Sequence, residues 1–466
     1  MNHGNIFTMS ALAFLTTTMG LAQITLPAPI QVNSPIITIN GSPGDQTDPH
    51  VDKDLASYTD APSNQVRYYR FSTGADLAIP QDATTLFDVL SDANGGRIAF
   101  SRVELDRNAI FVFDPATESL TEIDPHAGSN RLGVALGGNT AAFVDMSSGQ
   151  GDIYAYDLGA NPPKPPLAVS LDPNAEQNPN VSPDGNTIVW ENCPVSIVNC
   201  HIFKGIFSGG AWSVSAVGPP TTDPEGNPDT DGTWIVYDAN RTGNATGQDI
   251  YYQAVGGGPE FQLAIPGAQQ NPSIKGGYIG FESRATSSSP ADLFVYDIAN
   301  NILYQVTATP SIDENLNDLS LLDNGDIRMV WAANDGAAGD ENIHATTFTP
   351  IHPAVYQICP LYDSNVAKKA GSAYPIKIQL CDASGANLSS SSITLHAVSV
   401  TRISSNTPTV LADTGNANPD FDFRYDSSLE GYVFNLSTKG YATGTYSLNF
   451  IAGSDPAPHS ALFAVK

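Results

Sequence analysis

The chain has 466 residues, more than one ordinary domain holds, so several domains or one large repeat array are expected. Forty glycines and 34 prolines favour many short strands joined by turns, and a hydrophobic content of 41% excludes wholesale disorder. Forty-eight acidic residues against 20 basic ones leave a net charge of −28, which repels a phosphate backbone and argues against nucleic acid as a partner.

Residues 1–22 read as a secretory signal peptide. Ile6 to Leu21 is apolar and uncharged, and the small residues Gly20 and Ala22 suit cleavage before Gln23. The stretch is short for a membrane-spanning helix of about 20 apolar residues. An exported chain is expected, in the periplasm, at the cell surface or outside the cell. Four cysteines and no CxxC agree with an oxidising compartment, although their spacing alone does not fix which pairs with which.

Past residue 40 a repeat governs the chain. β-Branched runs ending in an aromatic recur, their last residues being Tyr58, Phe100, Phe143, Trp190, Tyr237, Phe281 and Trp331, at steps of 42, 43, 47, 47, 44 and 50 residues. Each is followed by a second apolar strand, beginning at Val66, Ile110, Ile153, Ile202, Ile250, Leu293 and Ile343. An Asx-Pro step precedes the aromatic run at Asp48-Pro49, Asn178-Pro179, Asn227-Pro228 and Asn271-Pro272, and a further short strand closes most units. Four strands per unit predict an all-β chain with a seven-bladed β-propeller over residues 23–350, the aromatics packing between neighbouring blades. The seventh unit ends near Pro350 without a fourth strand. Ile36–Ile39 lies where a closing strand is wanted, so this N-terminal strand is expected to complete the last blade. The runs SPDGNTIVW (Ser182–Trp190) and QDIYYQAVGGG (Gln248–Gly258) resemble TolB-like, PD40 (WD40-like) propeller repeats, a resemblance that covers about Ile36 to Pro350.

Over residues 354–466 the pattern changes. Residues 351–466 hold 8 acidic and 7 basic residues, whereas residues 1–350 hold 40 and 13. Alternating runs such as YPIKIQL and YVFNLST, over about 110 residues, predict an Ig-like β-sandwich. Ala370–Gly385 resembles the opening of bacterial PxKF domains, with Ile378 in place of the name-giving Phe. FRYD at Phe423–Asp426 and the run Ser437–Phe450 fit the same family. The resemblance implies an accessory module of exported proteins with no chemistry of its own. These domains pair Cys193 with Cys200 and Cys359 with Cys381.

Asn227, Asp229, Asp231 and Asp238 fall at positions 1, 3, 5 and 12 of a calcium-loop pattern, with Gly232 at position 6. Asn replaces the first Asp, Asp replaces the final Glu, and the segment coincides with the Asx-Pro, turn and aromatic strand of the other units. Asp231-Gly232 therefore reads as a hairpin turn, and no metal or cofactor is expected. His50, beside Asp48 and Asp52 on a channel-lining strand, has the position of a ligand or base, though a lone histidine in an acidic strand is more often simply solvated. No GxSxG, GxxxxGK[ST] or GxGxxG occurs. The resulting expectation is a non-enzymatic, monomeric binding or scaffold module that takes a protein or glycan on one propeller face, without direct docking on anionic membranes. The alternatives are a carbohydrate-active enzyme of the propeller-lyase kind and a structural envelope protein. Histidines or carboxylates converging on the channel are the sign that favours an enzyme.

Overall fold

The computed structural model describes residues 22–23, 26–194, 199–242, 247–286, 288–351, 356–403, 405–414, 417–453, 455 and 457–466. The signal segment, apart from the backbone of Ala22, lies outside them. Among the described residues there is no α-helix, only strands, turns and three short 3-10 segments. The chain divides into two compact units, residues 1–350 and 351–466.

The first unit is built from seven separate sheets, each an antiparallel meander of the kind the repeat predicts. Their first strands are Gln46–Asp52, Thr85–Asn94, Arg131–Gly137, Ala175–Val181, Glu225–Thr230, Ala268–Lys275 and Glu314–Leu321. Six sheets take their fourth strand from their own repeat. The last takes Ile36–Asn40, which pairs antiparallel with Asn342–Phe348, Ile37 lying opposite Ala345. Two shorter N-terminal pieces, Ala22–Gln23 and Ile30–Gln31, add parallel to the outer strands of the fifth and sixth sheets.

The core of this unit is a set of clusters, each between two consecutive sheets, because a single meander of this length cannot bury both its faces. All seven repeat aromatics are at most 1% exposed. Phe100 packs between the first and second sheets, Trp190 between the third and fourth, Trp331 between the sixth and seventh. A further cluster joins the seventh sheet to the first through Ile39, Val330, Ala345, Val51 and Tyr58. The aromatics also meet a partner across the strand pair, as Phe100 does Phe111 and Phe281 does Phe294, with ring centroids 6.0 and 5.8 Å apart. Sheets packed face to face in sequence make a β-propeller.

In the second unit two four-stranded antiparallel sheets share one core. Tyr374, Ile376, Ile378 and Leu380 alternate inward along Ala373–Cys381, so the position that departs from the PxKF pattern is a fully buried apolar one. Cys193 stands at disulfide distance from Cys200, and Cys359 from Cys381.

Burial also sets a pH dependence. Glu314, 3% exposed, accepts hydrogen bonds from the Thr307 and Thr309 hydroxyls, and its burial pushes the carboxyl up to about 7. A carboxyl with a folded pKa above its unfolded one holds its proton more tightly in the folded chain. Its stabilising contribution is full below about pH 4.5 and is lost as pH rises through about 7. Melting temperature should therefore fall between pH 5 and 8. Glu314→Gln, which keeps the shape of the protonated form, should remove roughly 2–4 °C of that fall when thermal melts are compared across the range. An unchanged slope in the variant would count against this role.

Candidate functional site

Every first strand of the seven sheets carries a bulge at the same place. At the bulge stand Asp48, Leu90, Gly133, Asn178, Asn227, Asn271 and Leu316, all with φ between +49° and +58°. Asn, Asp and Gly tolerate this left-handed conformation, which is the physical content of the Asx-Pro signal. The bulge re-aims the chain so that the residue pairing with the position just before each repeat aromatic is His50, Asp92, Ala135, Asn180, Asp229, Ser273 or Asp318. Equivalent positions of seven sheets thus form one ring.

Three members of the ring are aspartates with one shared arrangement. Asp92 accepts from the backbone N–H of Leu136 at 2.6 Å, Asp229 from Ile274 at 2.7 Å and Asp318 from Val51 at 2.8 Å, each donor lying on the next sheet round. Each also accepts from the N–H of its own successor. These bonds tie neighbouring sheets together and fix the carboxylates rigidly. His50 lies among them: its Nε2 is 3.5 Å from Asp48, and its Nδ1 is 3.6 Å from Asp92 and 3.7 Å from Asp318. Burial alone lowers an imidazole pKa, but the surrounding carboxylates, Asp318 and Asp48 foremost, outweigh it and hold His50 well above its ordinary value.

The carboxylates are pushed in different directions. Burial raises Asp229 to about 6 against the opposing pull of Lys275 and the Ile274 N–H. Burial likewise raises Asp92. Burial also acts upward on Asp318, yet His50 and Lys275 bring it below the usual carboxylate range. Near neutral pH the ring holds a protonated imidazole, an ionised carboxylate and a carboxyl that titrates close by. Groups with divergent pKa values are the material of acid–base chemistry.

The ring is open on one side, where Ala135 supplies only a methyl group. A cavity of about 380 Å³ lies there, lined by His50, Asp48 and Asp92 and by an apolar wall that includes Leu90, Leu132, Val144 and Met146. A smaller one of about 130 Å³ is also lined by His50 and Asp48, beside Asn227, Asn271 and Leu316. Leu90 and Leu316 are out of place on two counts. They hold a positive φ without being Gly, Asn or Asp, and they stand 45% and 37% exposed at the cavity rims. Leu90→Asn should stabilise the protein by about 1 kcal/mol, read as a higher denaturation midpoint, while weakening whatever the cavity holds. A lower midpoint would show that Leu90 is there for packing.

His50 was expected beside Asp48 and Asp52 and solvated; the structure places it beside Asp48, turns Asp52 to the Gly95 N–H, and surrounds the imidazole with carboxylates from two adjacent sheets. Asp92 and Asp318 were missed. The signal was available: His50, Asp92, Asp229 and Ser273 each stand eight residues before their repeat aromatic. The calcium-loop residues do not form a shell. Asn227 donates to Asp238 at 2.8 Å, whereas Asp229 faces Ile274, and Asp231 caps the turn at Thr233 and Trp234. Among the described residues, one group of three metal-ligating types is close-set, Glu191 with Cys193 and Cys200, and there the two sulfurs are joined to each other.

No family model matches the chain, and no curated protein matches it. Solved structures do. The β-propeller domain of the Trilobed protease from Pyrococcus furiosus is 13% identical with a TM-score of 0.50, over 65% of this chain and 95% of that one. A prolyl endopeptidase structure is 12% identical with a TM-score of 0.47, over 72% of this chain and 54% of that one. TolB from Acinetobacter baumannii is 15% identical with a TM-score of 0.36, over 64% and 77%. This chain therefore spans little more than half the length of the endopeptidase. At these identities the likeness shows the β-propeller fold.

The expectation of a non-enzymatic scaffold is corrected here. The ring shows the convergence of histidine and carboxylates set out above as the sign that favours an enzyme. The cluster is assembled from strands far apart in the chain, so no contiguous signature marks it.

Proposed function

We propose that the chain is an exported, bond-cleaving enzyme of the acid–base type, acting on peptides at the hub of a seven-bladed β-propeller. In this reading Ile36–Asn40 closes the ring at residues 23–350, and an Ig-like, PxKF-type domain follows at 354–466. The observation that carries the reading is His50, which lines a cavity together with Asp48 and Asp92 and has Asp318 behind it at 3.7 Å. Peptide is the substrate class because the acidic rim attracts a positively charged group and the apolar wall accepts a side chain.

In the proposed hydrolysis, water attacks the amide carbonyl and passes one proton to ionised Asp318. His50 gives a proton to the departing nitrogen, so the C–N bond breaks to a carboxylic acid and an amine, and the acid's remaining proton passes to the amine to leave a carboxylate and an ammonium group. Proton return from Asp318 to the imidazole, which it faces at 3.7 Å, restores the starting state.

The test is cleavage of a mixed peptide library by the purified protein, read by mass spectrometry. His50→Gln should lower the rate by roughly 100-fold or more in protein that is still folded at the assay temperature, and Asp318→Asn should act similarly. Full activity in His50→Gln, or no cleavage of any peptide by the native chain, would overturn the proposal.

A further inference from the structure

A larger cavity, of about 890 Å³, lies between the third and fourth sheets and shares no lining residue with the hub cavities. Its walls carry three aromatics: Tyr156, Phe207 and Trp212. Phe207 and Trp212 pair across the hairpin with ring centroids 5.1 Å apart. The indole backs onto the sheet at Gly205, where an added Cβ would come within 3.3 Å of its Cε3 and 2.9 Å of Val169. Glycine at that place lets Trp212 lie down on the strand, and its ring remains part of the cavity wall.

The polar groups around these rings are open to a ligand, Asn139, Asp157 and Lys164 being exposed. Among the described residues no hydrogen bond is made by the Tyr156 hydroxyl, the Trp212 indole N–H, the Lys164 ammonium or the side-chain amide N–H groups of Asn139. Asp157 engages one carboxylate oxygen, with the N–H of Gly159 at 2.9 Å, and leaves the other open. Asn139 accepts from Arg97 at 3.2 Å through its oxygen alone. Donors and an open carboxylate oxygen therefore flank partly exposed aromatic rings.

We infer that this cavity is a second binding site, for a neutral oligosaccharide. A pyranose ring offers a flat face of C–H groups that packs on the negative face of an indole or phenol. Its edge is a rim of hydroxyls, each both donor and acceptor, which satisfies Asp157, Lys164 and the Asn139 amide together. An apolar or proline-rich peptide covers the same rings but leaves the charged and amide groups buried without partners, a net cost. The size falls in the usual range for small-molecule sites. This site is independent of the hub chemistry, and it gives an enzyme a means of holding itself on a glycan-covered surface.

The probes are cellohexaose, xylohexaose, mannohexaose and chitohexaose at millimolar concentration, added to the full chain and read by calorimetry and tryptophan fluorescence. At least one should bind and shift the emission. Trp212→Ala should weaken that binding roughly tenfold or more. Because Trp212 is partly packed on the core, the exposed pair Asp157→Ala with Lys164→Ala provides a second test that leaves the fold alone, and it too should weaken binding. His50→Gln should leave it unchanged. Binding by none of the four sugars, equal affinity in the Asp157/Lys164 double variant, or preferential binding of a proline-rich peptide would overturn the inference.

Discussion

Asp88→Ala should cost about 3–5 kcal/mol and lower the melting temperature by roughly 6–10 °C. Asp88 and Arg102 are directly paired across the first two strands of the second sheet, 0% and 1% exposed. The guanidinium fork donates Nε to Oδ1 at 2.7 Å and Nη2 to Oδ2 at 2.9 Å, and Nη2 also reaches the Pro80 carbonyl at 2.8 Å. Its flat face lies 4.7 Å from the Phe111 ring centroid and 5.3 Å from that of Phe100. With the carboxylate gone, a cation that cannot lose its proton stays in the apolar interface between the first and second sheets. The expected loss comes mainly from that stranded charge, so the double variant Asp88→Leu with Arg102→Met should recover most of it. Urea unfolding of both variants separates the cases. A single variant within about 1 kcal/mol of the native chain would mean that water reaches the guanidinium in the folded state.

How much of this was legible beforehand differs between scaffold and site. The repeat aromatics were legible because each blade-like unit solves the same packing problem, so the solution recurs in sequence at a fixed interval. The closing strand was legible by subtraction, from a unit that lacked its last piece. The hub was only half legible. Asx-Pro marks the bulge because Asn and Asp accept a left-handed backbone, but Leu90 and Leu316 occupy the same conformation and carry no such mark. Asp318 was hidden further, since its sheet has a longer turn, Leu322–Gly325, between bulge and aromatic, which breaks the eight-residue spacing. Arg102 with Asp88 was invisible for another reason: charged residues in a strand read as a solvated face, and only the second sheet's position against the first buries them. The cavity near Trp212 depends on Gly205 and on two hairpins from different units, and no local pattern announces such a meeting.

A chain that begins at Gly41 should lose more stability than any single substitution discussed here. It would lack Ala22–Gln23 and Ile30–Gln31 on the fifth and sixth sheets, and above all Ile36–Asn40, whose register places Ile36 opposite Thr346, Thr38 opposite His344 and Asn40 opposite Ile343. Four or so backbone hydrogen bonds at about 1 kcal/mol each, together with burial of Ile39 at about 2 kcal/mol, put the loss at about 6 kcal/mol. Side-chain ties go as well: Asn40 donates to the Tyr58 hydroxyl at 2.9 Å, and the Thr346 hydroxyl donates to the Pro35 carbonyl at 2.9 Å. Other links between the seventh and first sheets remain, because Gly44 still meets Asp340 and Gln46 still meets Glu341. The truncated chain should therefore fold, but melt at a lower temperature and over a broader range. Asn342–Phe348 then becomes an unpaired edge, so aggregation should rise with concentration. A synthetic peptide spanning residues 34–41, added in excess, should pair with that edge and raise the melting temperature again, since a strand supplied in trans makes the same ladder. The decisive outcome is the melt without peptide. If the truncated and native chains unfold at the same temperature, Ile36–Asn40 adds nothing to the last sheet, and the remaining cluster of Val51, Tyr58, Val330 and Ala345 must join the seventh sheet to the first without it.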